Sequence, residues 1–259
     1  MLLAVNIGNS NIRFAIMNGV NIKYSWTIST KPYKTAGEFQ LIFQNYTHQF
    51  EELNNEITDI VIGSVVPHQT LIISKVLEKT LDIKPLIVNR NSISEVKHSS
   101  NQMGTDLYAN AVAAHYLYPN KKKIIIDFGT ALTLTGIEET GQMIGVIIAP
   151  GVITSLNALV SDTAQLPEIE LKKPKSTLGM DTETCMQSGI MYGYTAMVEG
   201  LIERIKTDYE SDFYVISTGG VGTIFSGLTQ KINRNDKYHT IKGLSILYHL
   251  HHKKDFNFR

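Results

Sequence analysis

The chain has 259 residues, of which 43% are hydrophobic and 19% are charged, which is typical of a soluble globular protein with one large domain or two smaller ones. Its 24 Lys and Arg residues balance its 24 Asp and Glu residues, so no net field favours nucleic acid or an anionic membrane. One cysteine excludes an internal disulfide, no apolar run is long enough to span a bilayer, and the N-terminus carries no signal-peptide pattern. We expect a cytoplasmic protein that binds neither nucleic acid nor membrane.

The first half of the chain predicts three strands joined by tight polar turns, followed by alternating helices and strands. The predicted strands are 2–7, 11–17, 22–28, 58–66 and 85–88, and the predicted helices are 35–48, 68–82 and 104–118. The polar segment PNKKK (119–123) then indicates a domain boundary. We therefore expect an N-terminal domain at 1–118 and a C-terminal domain at 119–259.

The second half repeats this order. The predicted strands are 123–128, 131–137, 143–149 and 214–218, and the predicted helices lie near 151–159, 182–208 and 243–252. Three strands followed by alternating helices and strands, twice over, indicate an α/β duplication with one sheet in each half.

A short polar motif recurs at the start of each half. Val5-Asn6-Ile7-Gly8-Asn9-Ser10 aligns with Ile126-Asp127-Phe128-Gly129-Thr130-Ala131. One copy is explained by an ordinary hairpin turn, since Gly and Asn adopt the conformations that tight turns need. Two copies favour a pair of anion-binding turns from duplicated domains, because glycine lets backbone N–H groups approach phosphate oxygens.

A third glycine turn, Ser217-Thr218-Gly219-Gly220, follows the predicted strand 214–218. Because a helix N-terminus favours anions, this turn suits the adenosine or α-phosphate end of a nucleotide. A plain strand–helix turn is the alternative. The two common phosphate-loop patterns, G-x-x-x-x-G-K-[ST] and G-x-G-x-x-G, are absent from the chain.

Two carboxylates stand at chemically demanding positions. Asp127 ends an apolar strand, where a charge needs a cation or strong donors, so a metal–phosphate unit is a natural partner. Asp106 lies near the start of an Ala-rich helix. There it is either a favourable first-turn carboxylate or a general base that takes a proton from an attacking hydroxyl.

The predicted helix 182–208 carries small residues on one face, at Gly189, Gly193, Ala196 and Gly200. Such a face lets another helix approach closely. The partner is either a second copy of the chain or another part of the same chain.

Seven motifs occur in the order seen in type III pantothenate kinases, which the chain therefore resembles from Leu2 to about His249. They are NIGNS (6–10), GTD (104–106), DFGTALT (127–133), GVIIAPG (145–151), TAQLP (163–167), TETCMQSG (182–189) and STGG (217–220). The resemblance implies the fold of acetate and sugar kinases and actin: duplicated actin-like, ribonuclease H-like ATPase domains with a central nucleotide cleft. It also implies ATP-dependent phosphorylation of pantothenate, the first step of coenzyme A synthesis.

The resemblance implies a role for each motif. Asp106 would accept the hydroxyl proton, Asp127 would ligate a monovalent cation such as potassium or ammonium, and magnesium would accompany ATP. Thr182 would reach pantothenate across a homodimer interface. The residues expected at the nucleotide are Asn6, Ile7, Gly8, Asn9, Ser10, Asn11, Ile12, Arg13, Gly129, Thr130, Gly219 and Gly220. Those expected at pantothenate are Gly104, Thr105, Asp106, Leu107 and Thr182.

The sequence departs from the family pattern at three places. Asn6 stands where the family has Asp, and it brings no charge to a metal. Leu107 stands where the family has Arg, and it donates no hydrogen bond to an anionic substrate. Lys97-His98-Ser99-Ser100 replaces the family's Tyr-Asp-Asn-Pro, so Lys97 or His98 is a candidate to replace the lost arginine.

These departures leave three hypotheses open. The first is an active type III pantothenate kinase with Asp106 as its base. The second is a catalytically weakened paralogue that acts as a ligand-binding or regulatory protein. The third is a kinase of the same fold that acts on another small alcohol.

Overall fold

Each half of the chain builds one five-stranded sheet. The structure is a computed structural model that describes residues 1–49 and 56–253. The chain divides into two units. The first comprises Met1–Pro119, Thr140–Met143 and Tyr238–Arg259, and the second comprises Asn120–Glu139 and Ile144–Lys237.

The helices and strands follow the predicted order, with ends that shift by a few residues. Residues before 120 form β1 (Leu2–Ile7), β2 (Asn11–Asn18), β3 (Asn21–Ser29), α1 (Ala36–His48), β4 (Asp59–Ser64), α2 (Pro67–Leu81), β5 (Leu86–Val88) and α3 (Thr105–Leu117). Later residues form β6 (Lys123–Phe128), β7 (Ala131–Ile137), β8 (Met143–Pro150), α4 (Val152–Ser161), α5 (Thr182–Asp208), β9 (Tyr214–Gly219), α6 (Gly222–Ser226), β10 (Arg234–Asn235) and α7 (His239–His251). Across these ranges, no helix is both long and apolar enough to cross a bilayer.

The two sheets share one topology. The first has the order β3-β2-β1-β4-β5, and the second, read from its other edge, has the order β8-β7-β6-β9-β10. In each, the first strand pairs antiparallel with the second and parallel with the fourth. This correspondence places Asn6 of β1 and Asp127 of β6 at equivalent positions. The predicted α/β duplication is therefore confirmed.

Aromatic stacking organises the core of the first unit. Phe14 of β2 stacks on Trp26 of β3 with ring centroids 4.8 Å apart, and Phe39 and Phe43 of α1 pack against Phe14. A capping box starts α1, because Thr35 and Glu38 each bond the other's backbone N–H. The core therefore fixes the β2–β3 hairpin, whose first strand follows the polar turn of residues 8–10.

The C-terminal helix differs from its prediction in both its start and its place. Helix α7 begins at His239 rather than near 243 and belongs to the first unit, whereas the predicted division put it in the second domain. Every residue of α7 from His239 to His249 except Lys242 is buried. Gly243 packs so closely on α3 that a Cβ atom there would lie 1.9 Å from the Ala109 carbonyl oxygen. This close contact between α7 and α3 explains why α7 belongs to the first unit.

A lysine without a hydrogen-bond partner is buried in the second unit. The Lys123 side chain, at the start of β6, is fully buried, and its Nζ has no hydrogen-bond partner in the part of the chain that the structure describes. Burial lowers the pKa of the Lys123 amine from 10.5 to about 8, against the smaller opposing effect of Glu139. The charged form is therefore destabilised in the folded state.

We expect Gly243→Ala to destabilise the first unit by about 3 kcal/mol, because the added methyl group overlaps the Ala109 carbonyl and forces α7 away from α3. The matched control is Gly37→Ala on α1, where a Cβ atom meets nothing within 4 Å and alanine favours the helix by up to about 1 kcal/mol. Urea unfolding of both variants measures the difference. Equal stability of the two variants would contradict the α3–α7 packing.

We expect Lys123→Met to raise the free energy of unfolding at pH 7 on the order of 2 kcal/mol, since it removes a buried ammonium without a hydrogen-bond partner. Between pH 8 and 10.5 the unfolded chain holds a proton that folded Lys123 has released, so wild-type stability rises with pH across this window. The free energy of unfolding of Lys123→Met should not show this rise with pH. Lys122→Met is the control, because Lys122 is only partly buried and pairs with Glu138 at 3.4 Å.

Candidate functional site

Hydrogen bonds fix the backbone of the turn between β1 and β2, and the residues at its tip are exposed. The Gly8 N–H donates to the Asn11 carbonyl at 2.9 Å. Buried Thr30 secures both arms, because its hydroxyl donates to the Gly8 carbonyl at 2.7 Å and its N–H donates to the Ser10 carbonyl at 2.9 Å. Asn9, Ser10 and Asn11 remain exposed. This exposed, fixed turn suits a phosphate group.

Asp106 is the second residue of α3, and the extended Gly104 caps the start of that helix. Its Oδ1 accepts a hydrogen bond from the Leu107 N–H at 2.8 Å. A Cβ atom on Gly104 would lie 2.5 Å from that oxygen, so glycine makes room for the carboxylate. Burial raises the pKa of Asp106 above its ordinary value, against the smaller lowering effect of the backbone donors.

The structure brings the first turn and the Asp106 segment to one edge of the first sheet. β1 and β4 are parallel, and the Val65 N–H that follows β4 donates to the Ile7 carbonyl at 3.0 Å. A Cβ atom on Gly104 would lie 3.5 Å from a Val65 methyl group, and one on Gly63 would lie 3.2 Å from the Thr105 methyl group. The predicted phosphate turn and the predicted base therefore flank the same strand end.

The second unit gathers its two glycine turns in the same way. β6 and β9 are parallel, with Asp127 opposite Thr218 and Phe128 opposite Gly219. Gly219 has a φ of +94°, and a Cβ atom there would lie 2.6 Å from Asp127 Oδ1 and 2.5 Å from the Phe128 carbonyl oxygen. Only glycine fits this position. The turn predicted to bind phosphate and the turn predicted at the adenosine or α-phosphate end of the nucleotide thus meet at one edge of the second sheet.

Two residues near Thr130 were not predicted as part of the site. The Thr130 carbonyl accepts bonds from the Gly151 N–H at 3.1 Å and from the Thr154 hydroxyl at 2.7 Å. A Cβ atom on Gly151 would lie 2.3 Å from that carbonyl oxygen, so the start of α4 lies directly against the turn. The Pro150-Gly151 pair at the end of β8 was the signal available in the sequence.

Asp127 and Thr218 offer oxygen donors that fit a small hard cation. Thr218 is almost fully buried, and its hydroxyl has no hydrogen-bond partner within residues 1–49 and 56–253. Hydroxyl and carboxylate oxygens are ligands that alkali and alkaline-earth ions prefer. Within the same ranges, no group of three or more His, Cys, Asp and Glu residues forms a metal site. The donor set therefore suits the implied monovalent cation.

Thr182 and the small-residue face lie on the exposed side of α5. Asp181 caps the helix in a box with Thr184, which leaves the Thr182 side chain exposed. A Cβ atom on Gly189, Gly193 or Gly200 meets no described atom within 4 Å. The face predicted to approach another helix is therefore not covered within the described parts of this chain.

Known proteins resemble this chain over nearly its full length. A family model described as type III pantothenate kinase matches residues 2–204. Relatives named type III pantothenate kinase include one from Moorella thermoacetica, 35% identical over 96% of this chain and 98% of the relative, and one from Agathobacter rectalis, 36% identical over 98% and 99%.

Solved structures with low sequence identity share the fold. A conserved Baf family protein from Campylobacter jejuni has a TM-score of 0.60 at 16% identity over 97% of this chain and 99% of that chain. The activator of 2-hydroxyisocaproyl-CoA dehydratase from Clostridium difficile, solved with ADPNP bound, has a TM-score of 0.54 at 13% identity over 95% and 92%. With the two matching sheets, these likenesses confirm the predicted actin-like α/β fold.

We expect Gly219→Ala to weaken binding of a fluorescent ATP analogue about tenfold or more, because the methyl group displaces Asp127 and strains a left-handed backbone. The control is Gly145→Ala on β8, where a Cβ atom meets nothing within 4 Å. Titration of both variants and the wild type gives the dissociation constants. Equal affinities for the two variants would exclude the β6–β9 edge from nucleotide binding.

Proposed function

The chain belongs to the type III pantothenate kinase family, and we propose that it transfers the γ-phosphoryl group of ATP to the primary hydroxyl of pantothenate with Asp106 as general base. As a family member it is a phosphotransferase. The observation that carries the proposed role of Asp106 is its partly buried carboxylate at the edge of the first sheet where β1 and β4 end.

The environment of Asp106 supports its role as the base. Removal from water raises the pKa of the carboxyl group, which makes the carboxylate a better proton acceptor. The Leu107 N–H holds Oδ1, so the side chain has a defined direction. The carboxylate would take the proton as the substrate oxygen attacks phosphorus, and in-line transfer then needs little other covalent chemistry from the protein.

We assign phosphate binding to the two equivalent turns, residues 6–13 and 127–130, with Gly219 and Gly220 beside the second. The exposed Asn9–Asn11 segment and the Thr130 turn offer donors that orient phosphate oxygens. Asp127 and Thr218 would hold the monovalent cation. Magnesium bound with ATP supplies neutralisation of the charge that develops on the phosphoryl oxygens.

We also propose a homodimer in which Thr182 reaches the acceptor site of the partner subunit. The exposed small-residue face of α5 and the exposed Thr182 at its start support this assembly. Zero formal net charge gives little repulsion between copies.

The two rival functions rest on Asn6 and Leu107. A weakened paralogue would retain ATP binding without turnover, and a kinase for another alcohol would turn over a different acceptor. The retained positions of Asp106, Asp127, Gly129 and Thr130 favour an active pantothenate kinase. An ADP-release assay over a panel of small alcohols, with and without potassium, separates all three hypotheses.

We expect Asp106→Asn to lower kcat for pantothenate by about 10²–10⁴-fold, since the amide keeps the shape but accepts no proton. Binding of the ATP analogue should be unchanged, and exposed Asp208→Asn serves as the control. The wild-type rate should fall as the pH drops through the raised pKa of Asp106. The acidic limb of the pH–rate profile should therefore lie at a higher pH than the ordinary pKa of an aspartate would give. Full activity in Asp106→Asn would refute its role as the base.

A further inference from the structure

A polar cavity of about 440 Å³ lies beside the start of α3. Its wall is the segment 90–94 with 96–101, together with Tyr108 of the helix. Asn101 of this wall lies three residues before Gly104, where a Cβ atom would lie 2.5 Å from Asp106 Oδ1, so at most about 10 Å of chain separates the wall from the Asp106 segment. The cavity is therefore within reach of an extended acceptor whose hydroxyl end lies at Asp106.

Tyr108 and His98 hold this segment in place. The Tyr108 hydroxyl donates to the Ser92 carbonyl at 2.7 Å and lies 2.7 Å from the Ser94 hydroxyl. The His98 ring spans the loop, with Nε2 2.9 Å from the Arg90 carbonyl and Nδ1 3.1 Å from the Ser100 carbonyl. Because both ring nitrogens face the loop's own backbone, His98 is a positioning residue.

Lys97 is fixed by its backbone and keeps an exposed side chain. Its N–H donates to the Gly141 carbonyl at 3.1 Å, and its carbonyl accepts from the Met143 N–H at 2.9 Å. All three residues belong to the first unit. The backbone on both sides of the Lys97 side chain is thus held while the ammonium group stays available to a ligand.

The charges of the cavity have one sign. Arg90 and Lys97 line it, and no Asp or Glu residue does. Neither cation forms an ion pair within the described residues. Hydroxyl groups of Ser92, Ser94, Ser99 and Ser100 complete the wall. Two cations without carboxylate partners among neutral donors are suited to a carboxylate ligand.

We propose that Arg90 and Lys97 bind the carboxylate of the acceptor in this cavity and so determine the enzyme's preference for an anionic alcohol. This inference rests on the proposed function and names a specificity determinant of the same site. It accounts for Leu107, since the cation missing there is supplied from the segment before α3. Of the two sequence candidates, Lys97 takes this role and His98 shapes the loop.

The test compares pantothenate with pantothenol, in which a neutral CH2OH group replaces the carboxylate and the reacting hydroxyl is unchanged. Arg90→Met and Lys97→Met should each raise KM for pantothenate about tenfold or more, because a hydrogen bond to a charged group is lost. KM for pantothenol and both kcat values should stay near wild type. Exposed Lys84→Met is the control for a lost surface charge.

His98→Gln tests the positioning role separately. Glutamine has one side-chain nitrogen and cannot contact both loop carbonyls that the two ring nitrogens of His98 reach, so KM should rise for both acceptors. An equal rise for both acceptors in Lys97→Met and Arg90→Met would show that these residues only support the loop, and no rise in either would place the carboxylate elsewhere. Both results overturn the proposal.

Calorimetric titration of pantothenate into the same variants separates this inference from the proposed function. Pantothenate binding that weakens in Lys97→Met, in a protein that turns over neither acceptor, would support the anion site and refute phosphoryl transfer. If the enzyme turns over pantothenate and neither Arg90→Met nor Lys97→Met changes its affinity for pantothenate, phosphoryl transfer is supported and the anion site is refuted.

Discussion

The parallel pairing of the first and fourth strands in each sheet is the constraint on which the site depends. It places the ends of β1 and β4 together in the first unit and the ends of β6 and β9 together in the second. Each edge thus joins a polar turn to a segment more than 50 residues away in the chain. Backbone groups at such edges are fixed by the sheet, so binding an anion requires little reorganisation.

Much of this fold is predictable because its signals are local. The aliphatic runs of β1, β4, β6 and β9 and the repeated polar motif predict two sheets without any tertiary information. The local sequence does not predict which unit contains α7, because that depends on the packing of Gly243 against Ala109. Helix α6 and strand β10 have five and two residues, and periodicity does not resolve elements so short.

The residues of the candidate site also divide into those that the local sequence indicates and those that act through contacts with distant parts of the chain. Residues within a turn, such as Gly8, Gly129 and Asp106, are visible in the sequence because turn chemistry selects them. Thr30 and Thr154 act through hydrogen bonds to backbone groups about 20 residues away, and no pattern around them indicates it. Gly151 also bonds a distant carbonyl, and only the Pro150-Gly151 pair marks its position in the sequence. The sequence marks His98 only as a departure from the family pattern, and its two carbonyl contacts indicate that it supports the loop rather than binds a ligand.

The two copies of the polar motif have diverged in charge. Asp127 keeps a carboxylate beside the buried Thr218 hydroxyl and the backbone of Gly219, where the proposed cation would offset its desolvation. Its counterpart Asn6 is half-buried and pairs in register with Arg13. An amide there carries no charge that needs a counter-ion and does not repel phosphate oxygens. In the proposed site, Asn6 would therefore offer phosphate a neutral donor, and the charge that a cation requires would reside in the second copy.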